Sequence, residues 1–528
     1  MNNSIKSGLR VEEIWIQAEK KTTFTSILSL LFFVCASFLI YWPVIDHYFV
    51  SDDFKVLYRV CLEHTLFIKK FFRPLSDISI FLTYQLSGLN SSIFNSFNII
   101  IHGVNSHLVF LTSLYFGRTL GEKSRNFFAI SSAVIFLTYP FHNEAVVWLL
   151  GRGASMACMF SLLSIISFYK IENRRLKRWM VCIGYFISMS AFESTIFFPL
   201  IFLLLLIYER QPARSVQKWF FLLVLTLFLH LILRYWIAGT IAGNYGGEFF
   251  NSGVKAYFLN IAKVGGRLIL PPSRNASLLV TMFIILATLT GFFFIRNRDK
   301  IKKTQIGAGM MCLSGMLAIS SFIPVITGIS TQTSETDRLI YFPSVFLCML
   351  AGLLIAGCIK NFRIGFTILF LILCYNLFFL EKNNLTWKKA SSVTRTVVEK
   401  IIIPMQSEKT KGKIYFIDIP AEIDGAYVFR QGFPEALLLY GADQNRFIAV
   451  SYLSRPEMDQ RKEIKIPGNT TSEIRISPGI QLKPDTLGCR QIYKDGRQLF
   501  SISPEDRIYF WNIDQFEMIE PCLAGNPR

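Results

Sequence analysis

Long apolar runs recur through the first 381 residues and constrain the fold more than any other feature of the chain. A helix needs roughly 20 mainly apolar residues to cross a bilayer. Hydrophobic residues make up 52% of the chain and charged residues only 17%, against roughly 25% in soluble domains. The sequence therefore predicts a polytopic α-helical membrane protein with about eleven spans, at residues 24–46, 92–116, 127–140, 146–169, 177–190, 192–208, 217–236, 275–295, 305–327, 339–358 and 362–381.

Lysine and arginine alternate between the connections of these spans. One set of loops is rich in them, at residues 118–125, 170–178, 210–218 and 296–303. The intervening short connections, near His142, near Phe192 and from Gly328 to Asp337, contain none. By the positive-inside rule the basic loops and residues 1–23 are cytoplasmic, and the loops 47–91 and 237–274 and residues 382–528 lie on the outer face. The net charge of +19 is thus attributed to topology, and no nucleic-acid partner is predicted because no binding motif accompanies it.

The segment after the last predicted span changes character. Residues 382–528 contain short β-rich runs, beginning at Lys413, Phe447 and Arg507, separated by proline and glycine. This pattern predicts a small soluble β or α/β domain on the outer face. Cys489 and Cys522 both lie in it, and an oxidising compartment allows them to form a disulfide or to remain free thiols.

Two adjacent carboxylates follow the first span. Asp52 and Asp53 repel each other in an apolar setting, which raises one pKa towards that of a useful general base. The alternative is a solvated helix cap. Arg73 lies in the same predicted outer loop, where its guanidinium fork either holds a phosphate or is simply solvated.

Further polar residues occupy the next predicted outer connections. His142 and Glu144 are placed either to bind a divalent cation or orient an acceptor, or to form a polar turn between helices. Arg152 is on the helix that follows. Glu193 is a carboxylate between two apolar runs and is either a site residue or part of a turn.

Two arginines are predicted at outer ends of spans. Arg234 ends the seventh span, and Arg338 precedes Tyr341 at the start of the tenth. They either anchor their helices by snorkelling to the interface or bracket a lipid phosphate. Asn98 and His102 lie one turn apart in the second span, a spacing that favours hydrogen bonds to neighbouring helices.

Taken in order, these motifs resemble the integral-membrane glycosyltransferases of the GT-C class. The likeness is greatest to the protein O-mannosyltransferase group that includes the transmembrane tetratricopeptide-containing mannosyltransferases, and it covers residues 24–380. Two features depart from that group: no 34-residue repeat follows the last span, and Phe-Glu replaces the Lys-Glu pair at Glu193. The motifs that carry the resemblance are Asp-Asp, Arg-Pro-Leu, Asn-x-x-x-His, Pro-Phe-His-Asn-Glu-Ala-Val, Gly-Arg, Arg-Tyr-Trp and Asp-Arg-x-x-Tyr-x-Pro-Ser.

The resemblance implies a donor sugar joined through phosphate to a polyprenyl lipid, and transfer to an acceptor hydroxyl at the outer face. It makes Asp52 or Asp53 the general base of an inverting displacement. The acceptor, a glycan, a lipid or a protein, and the need for a divalent cation remain open. The substrate-binding residues that it implies are Arg234 and Arg338 for the lipid phosphate, Arg73 and Arg152 as supports, and His142, Glu144, Glu193 and Tyr341 nearby.

Two other functions remain compatible with the sequence. A transporter would show internal repeats and interrupted helices with polar residues near the bilayer midplane, whereas here the ionisable residues concentrate at one face. A polymer ligase or phosphotransferase would act on the same lipid carriers. The compact C-terminal segment favours a bacterial inner membrane, with this segment in the periplasm.

Overall fold

The computed structural model describes residues 26–69, 71–241, 253–273, 275–296, 305–358, 362–408, 412–460, 463–464, 473–477, 479–485 and 488–522. The predicted cytoplasmic N-terminus, residues 1–23, lies outside them, as does part of the predicted outer loop, residues 242–252. The chain folds into two compact units. The first takes its described residues from Met1–Ile45, Phe67–Ser76 and Ile93–Asn384, and the second from Asp46–Leu66, Asp77–Ser92 and Leu385–Arg528.

Helices occupy most of the first 408 residues. Each predicted span overlaps a helix, or two helices in the case of residues 146–169 and 305–327. The described helices, α1 to α19, are Ser26–Val44, Asp52–Leu57, Pro74–Ser87, Ser91–Phe116, Glu122–Leu137, Asn143–Val146, Arg152–Lys170, Arg174–Ala191, Phe198–Tyr208, Ala213–Ala238, Val254–Arg267, Ala276–Arg296, Gln305–Ser320, Phe322–Thr327, Tyr341–Cys358, Phe362–Arg395, Ile403–Ser407, Phe433–Leu439 and Arg455–Gln460.

Within the described part of the chain, seven helical stretches are long and apolar enough to cross a membrane. Two shorter apolar stretches, the helix Phe198–Tyr208 and the segment Ala276–Ile285 of α12, accompany them. Large side chains on α10 point outward, with Phe221 66% and Phe228 58% exposed, as expected for a surface whose solvent is lipid. The chain is therefore a multi-pass membrane protein, and the count of eleven spans stays a prediction.

The helix ends follow from local sequence. Asn173 caps α8, because its side-chain oxygen accepts hydrogen bonds from the amides of Arg175 and Leu176. Proline in the first turn of α9 costs no backbone hydrogen bond there. The helix α10 is followed by Gly239, whose φ of 74° is left-handed and therefore suits glycine.

The second unit carries the strand-rich region that the sequence predicts after residue 382. Its first sheet has the order β12-β11-β1-β5, with β1 parallel to β11 and β5, and its second is an antiparallel meander ordered β10-β9-β8-β7. Two small pairs join β2 to β6 and β3 to β4. The strands β1 to β12 are Ile414–Ile417, Ile419–Pro420, Glu422–Ile423, Ala426–Tyr427, Phe447–Ala449, Tyr452–Leu453, Ile474–Ser477, Ile480–Pro484, Arg490–Lys494, Arg497–Ser501, Arg507–Asn512 and Gln515–Ile519.

The two larger sheets share one apolar core. Ile417 of β1 and Phe510 of β11 are fully buried in it, and so are Leu482 of β8 and Ile492 of β9 from the antiparallel sheet. Burial of these side chains between the two sheets holds the β-rich region together.

A disulfide joins Cys489 to Cys522 in the same unit. The two cysteines also form a β-bridge, and the Arg490 amide donates a hydrogen bond to the Pro521 carbonyl beside it. Of the two alternatives that the sequence leaves open, the structure shows the bonded one.

Candidate functional site

Two arginines share one carboxylate in the first unit. Arg73 Nε lies 3.0 Å from Glu193 Oε2, and an Arg234 terminal nitrogen lies 2.8 Å from Glu193 Oε1. The Arg73 guanidinium also stacks over the ring of Phe192, 4.4 Å from its centroid. With two cations on one anion, these three charged side chains together carry a net charge of +1.

The cluster forms where three distant segments meet within that unit. Arg73 precedes α3, Glu193 opens a short 3-10 turn between α8 and α9, and Arg234 is near the end of α10. Burial alone would raise the pKa of the Glu193 carboxyl, but Arg73 and Arg234 outweigh it and hold that pKa below its usual value. Glu193 is therefore ionised at neutral pH.

A second ion pair joins two predicted site residues. The Glu144 side chain accepts a hydrogen bond from the Arg338 backbone amide, at 2.8 Å, and forms an ion pair with the Arg338 guanidinium. Glu144 is fully buried, and Arg338 lies over the ring of Trp148 at 5.1 Å. Gly151 packs against the backbone of Glu144, since a Cβ there would lie 1.9 Å from the Glu144 carbonyl oxygen.

A third ion pair includes an arginine that the sequence analysis missed. Arg267 is fully buried and binds both carboxylate oxygens of Asp337, at 2.5 and 2.7 Å. It also donates to the backbone carbonyls of Ser330 and Leu270. Its position could have identified it from the sequence. Arg267 is a basic residue in a predicted outer loop, where the positive-inside rule expects few basic residues.

Arg152 is held by neutral groups. Its Nε donates to Asn98 Oδ1 at 2.6 Å, and a terminal nitrogen donates to the Phe94 carbonyl at 3.0 Å. Asn98 in turn donates to the Trp148 carbonyl. Arg152 is fully buried. Its role as a support for the lipid phosphate stays a prediction.

The predicted residues His142 and Tyr341 belong to a buried aromatic and polar network. His142 Nε2 lies 2.7 Å from Ser344 Oγ, and the Tyr341 hydroxyl lies 2.8 Å from His102 Nδ1. Asn105 also donates to that hydroxyl. Burial, with His102 nearby, holds the pKa of His142 well below its usual range, so the ring is neutral at neutral pH.

The two adjacent aspartates belong to the second unit and open α2. Asp53 is buried, and its Oδ2 accepts a hydrogen bond from the Val50 backbone amide at 3.0 Å. Asp52 is half-buried. The preceding residue, Ser51, has a φ of 48°, a backbone conformation that a residue with a side chain adopts only when its surroundings impose it.

Those surroundings come from the C-terminal part of the same unit. The Ser51 amide donates to the Val428 carbonyl at 2.7 Å, and Ser51 Oγ accepts from the Gln431 amide. The rings of Phe54 and Phe429 stack with their centroids 5.6 Å apart. The turn that carries the aspartates is thus held by backbone and side-chain contacts at once.

A glycine completes these contacts. Gly432 packs against the turn so closely that a Cβ would lie 2.2 Å from the Ser51 carbonyl oxygen. Its φ of 87° also favours glycine. We call residues 427–433 the bracing segment.

The upstream residues of the same loop are held in a similar way. His47 Nε2 lies 3.0 Å from the Trp387 carbonyl, and the Tyr48 amide donates to Ser391 Oγ. Burial lowers the pKa of His47 to about 3. This histidine is consequently neutral at any pH near neutrality.

In the described residues, no group of three or more His, Cys, Asp or Glu side chains is arranged to hold a metal ion. Glu144, one of the two residues considered for a divalent cation, has Arg338 beside its carboxylate. His142, the other, has Ser344 beside its Nε2. Each of the two therefore has a protein partner of its own.

No family model matches the chain. Its sequence is similar to curated protein O-mannosyl-transferases: it is 34% identical to TMTC1 of Homo sapiens over 149 residues, covering 28% of this chain and 15% of the relative. It is 23% identical to F38B6.6 of Caenorhabditis elegans over 307 residues, covering 56% of this chain and 44% of the relative. The matches thus span less than half of either relative. They confirm the resemblance to membrane O-mannosyltransferases that the motifs predict.

A solved structure was also found to be similar. It is ArnT from Cupriavidus metallidurans bound to undecaprenyl phosphate, with a TM-score of 0.46 and 12% sequence identity, over 79% of this chain and 89% of that chain.

Proposed function

We propose that this chain is a membrane glycosyltransferase of the GT-C type, which transfers a sugar from a polyprenyl-phosphate donor to an acceptor hydroxyl. The observation that carries the proposal is its similarity to proteins named as O-mannosyl-transferases. The membrane-spanning helices are consistent with a donor presented from the bilayer. The sugar and the acceptor are left unassigned because the similarity covers only part of those relatives.

Asp52 is the general base in this proposal, and Asp53 holds the loop in place. The reason is their different surroundings: Asp53 is buried and accepts a hydrogen bond from Val50, whereas Asp52 is half-buried at the first position of α2. A base must reach the proton that it removes, so the more accessible carboxylate suits the role.

The reaction is a single displacement at the anomeric carbon. The acceptor oxygen forms the new bond to that carbon as the bond to the phosphate oxygen breaks, and the configuration inverts. The hydroxyl proton passes to Asp52, and the phosphate leaves on its polyprenyl lipid. No oxidant, reductant or second co-substrate is needed.

Arginines support the departure of the phosphate. The Arg73, Glu193 and Arg234 cluster has one more positive than negative charge, and Arg234 is 3% exposed, which strengthens its interaction with an anion. Arg338 is the second candidate for contact with the phosphate, with Glu144 fixing its orientation. Such fixed cations stabilise developing negative charge without reorganising during the reaction.

The test is transfer of radiolabelled sugar from a panel of polyprenyl-phosphate sugars to membrane extracts. Asp52→Asn is expected to lower the rate by about 10²- to 10⁴-fold. Asp53→Asn is expected to retain more activity, because its amide oxygen still accepts the Val50 hydrogen bond. Asp424→Asn, at an exposed position with a φ of 47°, is the matched control and should leave transfer unchanged.

Equal transfer by wild type and both Asn variants at normal abundance would remove the proposed mechanism. If the phosphate moved with the sugar, the enzyme would be a phosphotransferase. Solute uptake with no transfer from any donor would support a transporter.

A further inference from the structure

A strongly basic cavity of about 460 Å³ lies in the first unit, where α8 and α10 begin. Five of its lining residues are cations: Arg174, Lys177, Arg178, Arg214 and Lys218. None of its ten lining residues is an aspartate or a glutamate. A cavity with this charge favours an anionic ligand.

The carboxylate that follows α9 does not neutralise the cavity. Glu209 forms an ion pair with Arg118 and accepts a hydrogen bond from the Tyr169 hydroxyl at 2.7 Å. Glu172, ahead of α8, is exposed and is not among the lining residues. The N-terminal ends of α8 and α10 both lie at the cavity, and their helix dipoles add to its positive potential.

An apolar groove of about 450 Å³ lies next to this cavity. Arg178 lines both, so the groove adjoins the cavity at this side chain. Besides Arg178, the groove has Arg175 and Thr226 as polar lining residues. Its other walls are apolar: Trp179 and Cys182 on α8 and leucines on α10, including Leu225 and Leu229, which are 40% and 53% exposed. Its walls are therefore suited to an acyl chain.

Cavity and groove follow one another along the same two helices. On α10 the cavity is lined from Arg214 to Trp219 and the groove from Leu222 to Leu229. At 1.5 Å per residue, the stretch from residue 214 to residue 229 is about 22 Å long. It runs along a helix that is long and apolar enough to span a membrane, so an occupant would lie in the direction of the lipid chains.

We propose that this cavity and groove form a binding site for one anionic phospholipid. Its phosphate headgroup lies among the five cations, and one of its acyl chains lies in the groove. A soluble phosphate would satisfy the cations but leave the groove empty, whereas a neutral lipid would fill the groove without using the cations.

The experiment is native mass spectrometry of the full-length protein in detergent, with phosphatidylglycerol or phosphatidylcholine of the same acyl chains. The triple variant Arg174→Gln, Arg214→Gln, Lys218→Gln changes exposed side chains, so the fold is expected to tolerate it. It should bind phosphatidylglycerol about 100-fold more weakly than wild type, on the usual contribution of a basic residue near an anionic headgroup.

A matched triple variant controls for the loss of charge. Lys388→Gln, Lys494→Gln, Arg497→Gln removes three exposed cations from the second unit. The total charge changes by the same amount as in the first triple, but the cavity is untouched. This variant should therefore bind phosphatidylglycerol as wild type does.

A second pair of variants tests the groove. Leu225→Trp is expected to weaken phosphatidylglycerol binding, and Ile284→Trp, at a residue 55% exposed on α12, is its control. Equal binding of the two lipids by wild type, or equal loss in both triple variants, would overturn the proposal. Competition by inorganic phosphate, with Leu225→Trp binding normally, would instead indicate a soluble-anion site and would also overturn it.

Discussion

The carboxylates of the candidate site are held in different ways in the two units. In the first unit, Glu144 and Asp337 each lie against an arginine and Glu193 lies against two. In the second unit, Asp53 accepts a hydrogen bond from the Val50 amide, and its turn is fixed by the bracing segment.

The difference bears on what each arrangement can do. An ion pair can exchange partners, so an arginine held by a carboxylate can also bind an arriving phosphate. A backbone turn held in an unfavourable φ fixes the position of the side chains that follow it, which suits a base that must meet an acceptor in one geometry. The variants below disturb one arrangement at a time.

The largest effect is expected when an arginine loses the buried carboxylate that it pairs with. Glu144→Gln removes the carboxylate paired with Arg338, which is 15% exposed, and should lower the free energy of unfolding by about 3–5 kcal/mol. Glu209→Gln is the control, since its partner Arg118 is 53% exposed and keeps its water. Thermal unfolding in detergent measures the stability of both variants. Equal losses of stability would mean that the Glu144–Arg338 pair stabilises the fold no more than the Glu209–Arg118 pair does.

The bracing segment is tested next by Gly432→Ala. Its Cβ would overlap the Ser51 carbonyl oxygen, and its φ of 87° is unfavourable for alanine. We expect a loss of about 2–3 kcal/mol in stability, with a larger fall in sugar transfer than unfolding explains. Gly441→Ala is the matched control, because its φ of 70° imposes the same backbone cost while its Cβ has ordinary contacts. Equal transfer by the two variants would contradict a role for the bracing segment in positioning Asp52.

His47, in the same loop, makes the free energy of unfolding depend on pH. Its pKa is about 3 in the folded protein, below the ordinary value of 6.5, so the unfolded chain binds more protons. Its contribution to stability is complete above pH 6.5 and is lost as the pH falls towards 3. Between pH 7 and pH 5 the loss should be about 2 kcal/mol. His47→Gln should show a correspondingly smaller change in unfolding temperature over that interval, and an identical profile would contradict this assignment.

Much of the fold was predictable from the sequence, because the spans depend on local apolar composition. The positions of Arg234 and Arg338 at predicted outer ends of spans made them candidate site residues, and that role stays a prediction. The ion pairs were not predictable, since their members, such as Arg73, Glu193 and Arg234, are far apart along the chain. The contact of Gly432 with the turn before Asp52 was missed for the same reason: nothing local to this glycine reveals a backbone atom so distant in the sequence.

The smallest effect is expected from a change in geometry at constant charge. Arg73→Lys keeps a cation near Glu193 but loses the Nε hydrogen bond and the contact of the guanidinium with the ring of Phe192. Because Arg73 is 22% exposed and Arg234 still neutralises the carboxylate, the loss in stability should be about 1 kcal/mol. Arg234→Lys, at 3% exposure, should cost more, since a buried ammonium has fewer ways to replace lost hydrogen bonds. If the two lysine variants are equally stable but differ in their KM for the polyprenyl-phosphate donor, the arginines contribute to donor binding through their individual geometry and not only through the charge of the cluster.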